Sequence, residues 1–124
     1  MLGKHDAGAT IAVSDIAAAR SFYEDKLGLE IAMEMGDAVV YSSGHSRVLV
    51  YRSDYAGTNK ATAATWSAGD DFDKVVEDLR SKGVPFEHYD LPETTREGDV
   101  HTMDGLRGVW VKDPDGNILS VIDQ

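Results

Sequence analysis

The stretch Ser14-Asp15-Ile16-Ala17-Ala18-Ala19-Arg20-Ser21-Phe22-Tyr23-Glu24-Asp25-Lys26-Leu27-Gly28 reads as a capped amphipathic helix. Ser14 or Asp15 offers a side-chain oxygen to the free amides of a first turn. Ile16, Ala19, Phe22, Tyr23 and Leu27 recur at three- and four-residue spacing and make one buried stripe. Gly28 supplies a left-handed stop. The pattern is written a second time from Asp70-Asp71-Phe72 to Lys82-Gly83. There Asp71 caps, and Phe72, Val75, Val76 and Leu79 form the stripe. Asp73 in the first turn and Arg80 and Lys82 in the last suit the helix dipole. Gly83 ends the helix and Pro85 prevents its restart.

Outward from the helices, the two halves continue alike. A β-prone run precedes each, Thr10–Val13 and Ala61–Trp66. Strand-like runs follow each: Leu29–Met33, Ala38–Ser42 and Arg47–Arg52, then Phe86–Tyr89, Gly108–Lys112 and Ile118–Ile122. Gly44 and the run Asp113-Pro114-Asp115-Gly116-Asn117 are turns. The repeat predicts an α+β fold of two tandem βαβββ modules, with curled sheets around a shared cleft, in one domain over residues 1–124. Module one runs over about 8–52, a linker over about 53–60 and module two over about 61–124. Asp15 maps onto Asp71, so equivalent positions lie about 56 residues apart by the helix caps. Leu91–Val100 is a polar loop without a counterpart in the first half, the kind of insertion that serves as a lid or binding loop.

Composition narrows the function. The net charge of −10 would repel a phosphate backbone, so no nucleic-acid partner is expected. The acidic residues are dispersed, as on a solvated surface. No apolar run approaches the length of a bilayer span, so no membrane partner is expected either. Met1–Asp6 lacks the apolar core of a secretory signal, and a cytoplasmic protein is the expectation. With no cysteine there is no disulfide, thiolate metal site or cysteine nucleophile.

The combination Ala12-Val13-Ser14-Asp15-Ile16, Ser21-Phe22-Tyr23 and Leu27-Gly28-Leu29 resembles the opening of the vicinal oxygen chelate superfamily. That group holds glyoxalase I, bleomycin-resistance proteins, fosfomycin-resistance enzymes and extradiol dioxygenases. The ending Lys112-Asp113-Pro114-Asp115-Gly116-Asn117-Ile118-Leu119 is similar to its final hairpin. The resemblance covers essentially the whole chain and implies two βαβββ modules across a cleft, commonly in a dimer. It also implies where metal-dependent members place their ligands. Carried onto this chain, those positions are Gly8, Val50, Ala64 and Ser120. Glycine, valine and alanine offer no donor, and a serine hydroxyl is a poor ligand for such metals. The expectation is therefore no bound metal and no cofactor.

Strand residues two apart share a face. The cleft is accordingly expected to hold Gly8, Thr10 and Ala12, then Val48, Val50 and Arg52. From the second half it should take Ala64, Trp66 and Ala68, with Ile118, Ser120 and Ile122. Such an apolar trough suits a small hydrophobic or aromatic molecule. Trp66 serves either as a stacking platform or as core, and Trp110 as packing. Of the histidines, His5 sits in an N-terminal arm, His45 in a hairpin turn and His88 on a strand beside Glu87. His101 is the candidate general base or ligand-orienting group, with Met103 beside it. With Asp99 or Glu87 it is also the candidate for a displaced metal site. Asp113 and Asp115 are explained by turn chemistry. The residues expected to bind ligand are Thr10, Val50, Arg52, Trp66, His101, Met103 and Ser120. The leading reading is a metal-free, homodimeric binding protein of the bleomycin-resistance type, holding a planar or aromatic molecule. The rival is a glyoxalase-like lyase, isomerase or dioxygenase using His101. A third reading is an accessory domain without a ligand.

Overall fold

The computed structural model describes all residues from Met1 to Gln124. In the first half, strand β1 (Ala9–Val13) leads into helix α1 (Ile16–Arg20). Asp15 is the cap, accepting from the amides of Ala17 and Ala18 at 2.9 and 3.2 Å. The helix does not run on uniformly to Gly28. Over Ser21–Lys26 it widens to a π-turn, with the Leu27 amide donating to the Phe22 carbonyl. That extra residue per turn seats both Phe22 and Tyr23 inside. Strands β2 (Glu30–Met35), β3 (Ala38–Ser43) and β4 (Ser46–Arg52) follow, and the sheet order is β1-β4-β3-β2.

The second half repeats this with β5 (Thr62–Ser67), α2 (Phe72–Ser81), and the strands β6 (Phe86–Glu87), β7 (Thr95–Glu97), β8 (Val100–Met103), β9 (Leu106–Lys112) and β10 (Ile118–Ile122). Its sheet order is β5-β10-β9-β8-β7, with β6 alongside β9. In both sheets the first and last strands pair in parallel, across the helix crossover. The expected α+β architecture of two βαβββ units is observed. Two details differ. A 3-10 turn, Gly69–Asp71, precedes α2, and Asp71 makes no side-chain cap. Part of the polar 91–100 segment is strand β7, a hairpin partner of β8 rather than a free loop.

The two sheets meet where β1 lies beside β5. The helices share one side, and one core joins both halves there. Ile11, Val13, Tyr23, Tyr41 and Val50 of the first half cluster with Leu79, Val111 and Leu119 of the second. Hydrogen bonds stitch the seam. The Tyr23 hydroxyl donates to Asp113 Oδ2 (2.8 Å), the Ser14 amide to Asp115 Oδ2 (3.0 Å) and Asn117 Nδ2 to the Ala12 carbonyl (2.8 Å). Trp66 Nε1 donates to Ser43 Oγ (2.8 Å) and Lys26 Nζ to the Lys82 carbonyl (2.7 Å). The other side of both sheets carries no helix and is left open.

Candidate functional site

Strand register decides which side chains look into the open side. Thr10 stands opposite Leu49, and Ile11 opposite Val50. Ile11 and Val50 are core residues under α1, so Thr10, Leu49 and Tyr51 face the open side and Val50 does not. Arg52 has the parity of Val50 and lies exposed at the end of β4, paired with Asp54 at 3.0 Å. In the second sheet Ser120 stands opposite Thr65 and Trp110, while Val121 stands opposite Trp66 and Val109. Val109 and Val121 pack against Phe72 and Val76 of α2. Ala64 and Trp66 therefore belong to the helix side, and Ser120 and Trp110 to the open side. Of the expected trough, Gly8, Thr10, Ala12, Ile118, Ser120 and Ile122 are on the open side. Val48, Val50, Arg52, Ala64, Trp66 and Ala68 correct to the other, Ala68 packing against the Phe72 cluster just past the end of β5.

His101 stands opposite Gly108 in the β8–β9 pair and shares the open side with Met103. It is almost wholly buried, at 2 % exposure. Its ring meets the edge of Trp110, centroids 4.7 Å apart, and Tyr89 meets Trp110 at 5.4 Å. This trio was not anticipated. Trp110 reads as packing in the sequence, and Tyr89 carries no signal there beyond being an aromatic at a strand end.

The bonding of His101 assigns its tautomer. The Tyr89 amide donates to His101 Nε2 at 3.0 Å, so Nε2 presents its lone pair and the neutral ring carries its proton on Nδ1. Burial, assisted by the positive charge of Arg96, lowers the imidazole's pKa, which favours that neutral form. No hydrogen bond of good geometry reaches the buried Nδ1 atom, although the Asp99 and Gly108 backbone lies close enough to the ring to oppose the pKa shift, and the Tyr89 hydroxyl is buried without a partner. Burial raises the Tyr89 phenol's pKa, so it too stays protonated. Two unfilled polar positions thus lie beside the Trp110 ring.

The residues do not fit the metal that the family resemblance implies. Val50 and Ala64 face the helices, and Ser120 is a lone hydroxyl. At Gly8 a Cβ would lie 2.8 Å from the Arg47 carbonyl, so no side chain fits there without moving β1 or β4. His101 has committed Nε2. Asp99 is bound by His88 Nε2 (2.8 Å) and Arg80 (3.0 Å), which lower its pKa, and Glu87 by Lys112 (3.3 Å). No three His, Asp or Glu residues are grouped as a metal site would need.

A separate cavity lies on the helix side, about 660 Å³ in volume, between Trp66, the end of the first helical segment and α2. No helix is long and apolar enough to cross a membrane.

Comparison with known proteins gives consistent relatives. The family model of the Glyoxalase/Bleomycin resistance protein/Dioxygenase superfamily matches residues 7–121. A lactoylglutathione lyase from Agrobacterium tumefaciens superposes with a TM-score of 0.71 at 20% identity, over 95% of this chain and 92% of that one. A glyoxalase/bleomycin resistance protein/dioxygenase from Alicyclobacillus acidocaldarius gives 0.72 at 21% identity, over 95% and 89%. The oxidase ChaP-H1 gives 0.68 at 25% identity, over 94% and 93%. No curated protein matches the sequence.

Proposed function

The chain belongs to the Glyoxalase/Bleomycin resistance protein/Dioxygenase superfamily, and we propose that it is a small-molecule binding protein that takes a planar, oxygen-bearing molecule on the open side, against Trp110 and His101. One scaffold hosts many functions, so the reading rests on the site. The observation that carries it is the pair of buried, partnerless polar atoms, His101 Nδ1 and the Tyr89 hydroxyl, beside an indole. Leaving such a group unpaired costs about 1–3 kcal/mol. With the side chains that cover Nδ1 turned aside, a ligand oxygen accepting from Nδ1–H recovers that cost, and the ring body packs on Trp110. Thr10, Met103 and Ser120 border the same side.

The exposed apolar side chains of that side, Met33, Met35, Tyr51 and Met103, support a second copy of the chain as the cover that closes the site. His101 is the orienting donor. With Nε2 committed to the Tyr89 amide, a general-base role is disfavoured. An enzymatic use of this site would be polarisation of a carbonyl by Nδ1–H.

Calorimetric titration with flavone and anthraquinone, planar aromatic ketones, tests the reading. Saturable binding is expected. Trp110→Ala should weaken it at least about tenfold, from a loss of roughly 1.5–3 kcal/mol of burial and ring contact. His101→Phe keeps a ring in place and should weaken it by about fivefold or more through loss of the donor. Affinities unchanged in both variants would overturn the proposal.

A further inference from the structure

The helix-side cavity plays no part in that site, being across the sheet from it. Its volume of about 660 Å³ falls within the roughly 300–1,000 Å³ of small-molecule pockets. Trp66, Val111, Leu119 and Val121 form the floor. Leu27 and Leu29 come from the first half, Val75 and Leu79 from α2. The cavity is a half-open groove whose mouth reaches solvent at Asp71, Lys74 and Asp78, so a ligand can enter it without unpacking the core. The Trp66 indole N–H is already satisfied by Ser43. What Trp66 offers the cavity is a fixed apolar plate.

The rim is charged and asymmetric. Asp71, at the end of the 3-10 turn, and Lys74 and Asp78 of α2 line the cavity three and four residues apart. Lys74 stands between the two carboxylates in sequence, and Asp78 also holds Lys82 at 2.9 Å. Acidic side chains outnumber basic ones among the lining residues, on a chain of net charge −10. Lys82 already neutralises Asp78, whereas Asp71 makes no ion pair within the protein, so the rim keeps one carboxylate free to receive a ligand cation.

We propose that this cavity is a second ligand site, taking a flat apolar molecule whose basic amine lies at the α2 rim. Such a ligand touches both halves at once, Leu27 and Leu29 on one flank and Val75 and Leu79 on the other. Binding therefore stiffens the seam between the sheets.

Three probes with one body test the site: 1-naphthylmethylamine, 1-naphthalenemethanol and 1-naphthoate, titrated calorimetrically into the full chain at pH 7. The amine should bind saturably and raise the melting temperature, with an affinity at least about tenfold above that of the carboxylate. Val75→Phe fills the cavity from its α2 wall and should weaken amine binding about tenfold or more. Leu29→Phe fills it from the opposite flank and serves if the first variant does not fold. The double variant Asp71→Asn with Asp78→Asn should bring the amine down to the alcohol's affinity. Trp110→Ala should leave amine binding unchanged. No saturable binding by any probe overturns the proposal, as does carboxylate binding equal to that of the amine. Binding lost in Trp110→Ala but kept in Val75→Phe also overturns it. That outcome assigns the probe to the open side and leaves the first site standing.

Discussion

Asp113 shows how much one side chain can organise. Its Oδ1 accepts from the amides of Asp115 and Asn117, at 3.0 and 2.9 Å. Its Oδ2 accepts from Asn117 Nδ2 and the Tyr23 hydroxyl, both at 2.8 Å. The first set shapes the β9–β10 turn and the last bond reaches into the other half. Removing the carboxylate strands the buried Tyr23 hydroxyl and the Asn117 amide together. Asp113→Ala should cost about 3–5 kcal/mol in urea denaturation, as for a broken buried charged network. Tyr23→Phe, which deletes one bond to that charge, should cost about 1.5–3 kcal/mol. If the tyrosine variant proves the more damaging, Asp113 is not the hub. His101 adds a pH dependence of determined sign. Its folded pKa is lowered by burial, so the unfolded chain takes up the proton more readily. Its contribution is fully present above the ordinary histidine value of about 6.5 and is lost as pH falls below it toward the lowered folded value. The urea midpoint should drop between pH 7.5 and 5.0, and drop less in His101→Gln. Equal drops in both proteins would refute a buried neutral imidazole. Carboxylates such as Glu24 and Asp99, whose pKa values are lowered, add their own loss only at more acidic pH.

At the level of elements, the helices and most strands were legible because caps, stripes and turn residues are local signals. Sheet facing was not, and the reason is specific. Val13 and Trp66 are the last helix-facing residues of β1 and β5, and they stand 53 positions apart. The helix caps Asp15 and Asp71 stand 56 apart because the 3-10 turn Gly69–Asp71 adds three residues to the second half only. A repeat measured from caps is therefore displaced by an odd number of residues in the strands, and an odd displacement turns every side chain to the opposite face. Ala64 and Trp66 entered the trough that way. Val50 was misplaced because facing across a parallel pair depends on register, which one strand's own pattern does not carry. Strand β7, Thr95–Glu97, is exposed throughout and has no apolar alternation to betray it. The open-side aromatics were hidden for a related reason. Tyr89 just past β6 meets His101 of β8 and Trp110 of β9, at sequence separations no motif spans. The same strand geometry yields a test at Gly8. Its added Cβ would meet backbone, the Arg47 carbonyl at 2.8 Å, rather than a side chain able to rotate away. Gly8→Ala should cost roughly 1–3 kcal/mol as overpacking at the start of the β1–β4 pair, measured by thermal or urea denaturation. A neutral result would mean that β1 shifts freely there, and a side chain at the old ligand position would then be sterically admissible.

At the scale of the whole molecule, the asymmetry between the two sides of the sheets is the decisive feature. One side is covered by both helices. On the other, Met33, Met35, Tyr51 and Met103 are 54%, 47%, 37% and 42% exposed. Register places the first three on one surface, since Met33 stands opposite Val40 and both Met35 and Tyr51 opposite Ala38. Exposed apolar surface of this kind suits an interface, and the two-fold pairing of identical copies proposed above would cover it. Light scattering should give twice the 13.5 kDa chain mass at tens of micromolar. Each copy carries a charge of −10, so association opposes self-repulsion and should tighten as salt screens it, over a Debye length of about 10 Å at 0.1 M. Met33→Glu buries an unpaired charge in that interface and should weaken the dimer by at least about a hundredfold, from a penalty of roughly 3–5 kcal/mol. Ile31 supplies the control. It lies on the same strand and is 39% exposed, but stands opposite Tyr41 and so faces the helix side. Ile31→Glu should leave the dimer intact. If Ile31→Glu separates the copies and Met33→Glu does not, the chains meet through their helix sides, and the open-side site would have to function without a partner to close it.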